Sequence, residues 1–81
     1  MAGNKTCDGV KISKLLRLAR SIGATVREAG GNHPYILNYQ GLRPCPVATS
    51  TDARRMVVPW LSNIVDLDRN KIYGSLKRGY L

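Results

Sequence analysis

The sequence has no phenylalanine, one tryptophan, one histidine and two cysteines. Without phenylalanine, a core must be built mainly from aliphatic side chains, with Trp60 and the tyrosines as its large fillers. Cys7 and Cys45 lie far apart and form no C-x-x-C pair. With His33 they make three soft ligands at most, which argues against a zinc site, so no metal and no cofactor is expected. Long apolar runs are also missing. The longest, Met56 to Leu61, is far too short to span a bilayer, and no membrane role is expected. No secretory segment is recognisable, so the expected location is cytoplasmic, with both thiols reduced.

Acidic residues are scarce. Five Asp and Glu face 13 Lys and Arg, for a net charge of +8. A field of that size on so small a chain attracts polyanions, and nucleic acid is the natural partner; a generally solvated basic surface is the plainer alternative. Eighty-one residues suffice for one domain with one modest core, since a chain of this length buries only about 60% of its unfolded surface.

Taken in order, residues 1–7 are small and polar and read as a loose arm. Asp8 is a candidate N-cap for a helix running to Gly23. Ile12, Leu15, Leu16, Ala19 and Ile22 recur at helical spacing, with Lys14 and Arg17 on the opposite side. Gly23 suits a left-handed stop. Residues 24–29 and 34–39 read as two strands of a hairpin, broken by Gly30-Gly31. In the second strand Tyr35, Leu37 and Tyr39 share a face. Residues 42–53 form a long excursion. Pro44 and Pro46 bar it from a central strand but allow it to extend a sheet edge. Residues 54–60 read as the third strand, with Met56, Val58 and Trp60 on one face and Pro59 ending it or marking an edge. Leu61 to Leu67 is turn or a short helical piece. Asp68 then caps a second helix that Gly79 stops. The expected fold is α+β, an α-β-β-β-α double-stranded-RNA-binding-like domain with two helices on one face of a three-stranded antiparallel sheet.

The stretch Gly30-Gly31-Asn32-His33-Pro34-Tyr35 carries the chemistry. RNA holds its own nucleophile, the 2′-OH beside the scissile phosphate. Cleavage then needs a proton acceptor or donor and positive charge around the phosphate. A histidine near its ordinary pKa of about 6.5 serves either proton role. The glycines permit close approach of a phosphate. Candidate phosphate binders are Arg27, Lys14, Arg17, Arg54 and Arg55. Tyr35, Tyr39 and Trp60 are available for base stacking, although the shortage of aromatics assigns at least two of them to the core.

These features resemble the HicA (YcfA-like) family of type II toxin–antitoxin systems, over roughly residues 9 to 81. Its hallmark Gly-Ser-His is matched by Gly31-Asn32-His33, with Asn32 in the serine's place. Leu15-Leu16 with Gly23, Val58-Pro59, and Ile72 through Leu76 with Gly79-Tyr80-Leu81 are similar to other parts of the family pattern. Glu28 stands where the family often has arginine, with Arg27 one position away. The resemblance implies an mRNA endoribonuclease with His33 as its catalytic residue, Gly31 and Asn32 at the RNA, and a HicB-like antitoxin protein as partner. The alternative is a non-catalytic RNA-binding module of the same fold. A third possibility is a protein-interaction domain with a basic docking face.

Overall fold

A computed structural model describes residues 5–28 and 35–81. The chain folds as helix α1 (Ile12–Ser21), strands β1 (Thr25–Glu28), β2 (Tyr35–Asn38) and β3 (Cys45–Val47), a π-helical turn (Ala53–Val57) running straight into a short helix α2 (Val58–Leu61), and helix α3 (Arg69–Arg78). The class is α+β and the layout α-β-β-β-α, with one extra helical piece between β3 and the last helix.

The first helix begins three residues later than the sequence suggested, at Ile12. Its N-cap is Lys11, which offers no side-chain bond, so Asp8 does not cap it. Between Asp8 and the helix lies a tight turn. Thr6 closes it, its backbone N–H donating to the Val10 carbonyl and its hydroxyl accepting from the Val10 N–H. Lys5 to Cys7, part of the stretch expected to be a loose arm, is thus tied to the fold. Thr6 is buried, and the Cys7 N–H donates to the Thr51 carbonyl at 3.0 Å. The apolar stripe of α1 packs as its spacing requires, burying Ile12, Leu15, Leu16, Leu18 and Ala19. Gly23 stops the helix with φ +96, a conformation that a side chain resists.

The sheet is antiparallel with β2 in the middle. Its register aligns Val26, Leu37 and Cys45 in one row and Arg27, Ile36 and Pro46 in the next. Successive strand side chains point to opposite faces, so the first row faces the core and the second faces away. Leu37 is fully buried, and Tyr35 and Tyr39 are half-buried against the core. The excursion after Gly41 supplies β3, and it lies at the edge as its prolines demand.

Residues 54–60 are not a strand. They belong to the π-helical turn and α2. Ala53, Val57, Val58 and Leu61 are buried at helical spacing, while Met56, expected to share a face with Val58 and Trp60, is 56% exposed where those two are buried. The β-branched pair Val57-Val58 before a proline favours extended backbone locally, and tertiary packing overrides it. Asp52 starts the turn by accepting the Arg55 N–H at 3.1 Å. The Val58 N–H reaches back to the Ala53 carbonyl, the wider π spacing, and Pro59 in the first turn of α2 has no N–H to place. Trp60 anchors the segment, its indole N–H donating to the Arg43 carbonyl at 2.6 Å. Its burial assigns it to the core rather than to stacking on bases.

The last helix follows the sequence closely. Asp68 accepts the Asn70 N–H at 2.9 Å. Ile72 and Leu76 are fully buried, and Gly79 closes the helix at φ +90. There the Lys14 stem packs so closely that a Cβ on Gly79 would lie 3.1 Å from Lys14 Cβ. No helix among the described residues is long and apolar enough to cross a membrane.

Candidate nucleic-acid interface

Gly31, Asn32 and His33, the expected catalytic tip, fall outside the described residues. Glu28 and Tyr35 are register partners, and Tyr35 also pairs with Val47. These paired residues mark the end of the sheet from which β3 leads on to Thr51, Asp52 and the π-helical turn.

The expected phosphate binders do not form a single cluster. Arg27 is exposed on the sheet face that points away from the core. Arg17 is exposed on α1, and Lys14 is half-buried against Gly79. Arg54 and Arg55 do come together. With Arg69 and Asn70 of α3 they line an open cleft of about 480 Å³ whose apolar wall is Val58 and Pro59. Arg55 also borders a second cleft of about 360 Å³ lined by Pro46, Ser50, Thr51, Asp52 and Met56.

Two residues that sequence reading did not single out for this region organise it. The Tyr73 ring carries the Arg54 guanidinium 5.5 Å from its centroid and the Lys77 ammonium at 4.6 Å. Cations over an aromatic face are attracted by the ring quadrupole. Tyr73 is held in turn by Asp8, to whose Oδ2 its hydroxyl donates at 3.0 Å. Asp8 also accepts the backbone N–H groups of Ala53 and Arg54, each at 3.0 Å, and the Thr6 hydroxyl. The residue expected to cap α1 instead caps a turn distant in sequence.

The electrostatics follow from that geometry. Partial burial works to raise the Asp8 pKa, but the bonds from Thr6, Ala53, Arg54 and Tyr73 outweigh it and bring the carboxyl down from 3.8 to about 2. The Tyr73 hydroxyl is pushed up from its ordinary value, by burial first and then by its bond to the Asp8 carboxylate. Asp8 remains ionised and Tyr73 protonated across the physiological range. Cys45 is buried and its thiol is raised to about 11 by desolvation, whereas Cys7 is exposed; both are free. The described residues contain no group of side chains able to hold a metal ion.

Part of this region was legible. Arg69, Tyr73 and Lys77 recur at a spacing of four and so share one face of α3, a pattern open to periodicity reasoning. The approach of Arg54 and Asp8 to that face was not. Comparison of the chain with protein-family models, with curated proteins and with solved structures gives no match.

Proposed function

We propose that the protein is a small endoribonuclease of the HicA type, acting on mRNA in the cytoplasm and restrained by a HicB-like antitoxin protein. RNA supplies the nucleophile. The 2′-oxygen forms a bond to the adjacent phosphorus as the bond to the 5′-oxygen breaks. The His33 imidazole accepts the 2′-OH proton or donates one to the departing oxygen, a role worth roughly 10²–10⁴-fold. Arginine and lysine side chains offset the charge that develops on the phosphate, and the step needs no metal.

The observation that carries this reading is the α-β-β-β-α layout, with Gly31-Asn32-His33 in the link between the paired ends Glu28 and Tyr35. The net charge of +8 supports it further, because the substrate is a polyanion.

The test compares wild type and His33→Ala on single-stranded RNA in the presence of a chelator. Wild type should cleave, and the variant should bind RNA equally while cleaving roughly 10²–10⁴-fold more slowly. Equal cleavage by both removes His33 from the chemistry. One residue favours a second reading, a non-catalytic RNA-binding module: Asn32 stands where the resembled family has serine. Salt-sensitive RNA binding by wild type without any cleavage would establish that module instead.

A further inference from the structure

We propose that the cleft between the π-helical turn and α3 is a subsite for the RNA backbone, in which Arg54, Arg55 and Arg69 hold consecutive phosphates and Tyr73 acts as the positioning residue. This rests on the RNA-directed reading above and adds to it a second contact region, built on the helical side of the fold.

Charge density comes first. Three guanidiniums line one open cleft, and none of the lining side chains described is a carboxylate. The acids beside the cleft accept backbone N–H groups: Asp8 those of Ala53 and Arg54, Asp52 that of Arg55, and Asp68 that of Asn70. These carboxylates shape the turn and the helix start that bear the arginines. Guanidinium forks match phosphate oxygens two at a time.

Preorganisation comes second. A long exposed side chain loses rotamer freedom on binding, about 0.5–1.5 kcal/mol for each one immobilised. A cation resting on an aromatic ring is ordered beforehand, and unlike a carboxylate the ring leaves the positive charge uncancelled. Tyr73 does this for Arg54 and Lys77 together, and its own orientation is fixed by the hydroxyl bond to Asp8. The turn bordering the cleft is also tied to the N-terminal segment, since the Cys7 N–H binds the Thr51 carbonyl and Asp8 binds Ala53 and Arg54. Single-stranded RNA, whose phosphates follow one another along a flexible chain, suits a row of cations of which Arg54 is held in place. An acidic protein segment is the competing occupant.

The experiment measures binding of a fluorescently labelled single-stranded RNA by polarisation over a range of salt, for wild type and variants whose folding is verified by circular dichroism. Each phosphate contact contributes about 0.7 to the slope of log affinity against log salt, or about fivefold in affinity at 0.1 M. The triple variant Arg54→Ala/Arg55→Ala/Arg69→Ala should therefore weaken binding about 100-fold and flatten the slope by about 2. Arg20→Ala, on α1 outside the cleft, should leave the slope unchanged. Tyr73→Phe keeps the ring but loses its tether to Asp8 and should bind between wild type and Tyr73→Leu, which should bind several-fold more weakly; equal loss in both would overturn the positioning role of the ring. A triple variant with wild-type affinity and slope, still cleaving RNA through His33, overturns the subsite and leaves the proposed function standing. If the triple variant loses binding while His33→Ala cleaves like wild type, the subsite stands and the catalytic assignment falls. If it binds RNA normally but loses binding to polyglutamate, the cleft is a protein-docking surface and the proposal is overturned. Absence of RNA binding by wild type overturns both.

Discussion

Removing the Asp8 carboxylate is the most informative single perturbation of this fold. Its oxygens join the N-terminal turn, the π-helical turn and α3 through bonds from Thr6, Ala53, Arg54 and Tyr73. In Asp8→Ala, two backbone N–H groups at the start of a helical segment lose their partner. Loss of a capping side chain costs about 0.5–2 kcal/mol, and the lost Tyr73 bond adds about 1 kcal/mol. The expected destabilisation is therefore about 1.5–3 kcal/mol, a large fraction of the total for a domain this small. The midpoint of thermal unfolding should fall by roughly 10 °C or more.

The pH dependence gives an independent check. The carboxyl ionises at about 2 in the folded protein against 3.8 ordinarily. A depressed acid contributes stability that is fully present above its unfolded pKa and lost as pH falls through the folded one, so the window is pH 4 down to 2. At about 1.4 kcal/mol per pKa unit the shift corresponds to about 2 kcal/mol, which solvent screening at this partly exposed site reduces to about 1 kcal/mol. Asp8→Asn, nearly isosteric and uncharged, should lose that part of the acid dependence while remaining folded at neutral pH. Urea titrations at neutral pH and at several steps down to pH 2 measure both effects. If Asp8→Ala changes stability by less than about 0.5 kcal/mol, the size expected of an ordinary surface substitution, Asp8 does not hold these three elements together. If Asp8→Asn keeps the full wild-type acid dependence, the cause assigned to the shift is wrong.

Two further outcomes follow from the packing. Gly79→Ala should destabilise by about 1–2 kcal/mol, because a side chain at φ +90 is strained and its Cβ would press on Lys14; chemical denaturation measures it, and an unchanged midpoint would show that the contact relaxes. A thiol-reactive dye should label Cys7 rapidly in the native protein and Cys45 only after denaturation, because Cys45 is buried and its thiol is raised to about 11; rapid labelling of both in native conditions would contradict the burial.

The two long helices, the first two strands and their stops were readable because each rests on a local signal. The stripe from Ile12 to Ile22, the left-handed glycines at 23 and 79, and the Asp68 cap act within a few residues of themselves. Likewise Pro44 and Pro46 sufficed to exclude a central strand, and β3 forms at the edge. The segment 53–61 was misread because its local chemistry, valines before a proline, favours extended backbone. Burial of Ala53, Val57, Val58 and Leu61 on one side outweighs that preference.

The sequence by itself determined the order of the main elements, the positive field and the single histidine, since composition, spacing and backbone-specific residues do not depend on which distant groups meet. Tertiary structure alone decided what Asp8 does and where the arginines gather. A carboxylate serves equally well as a cap for the helix that follows it or for a turn far along the chain. Which of these it becomes depends on the packing that brings Ala53, Arg54 and Tyr73 to its oxygens.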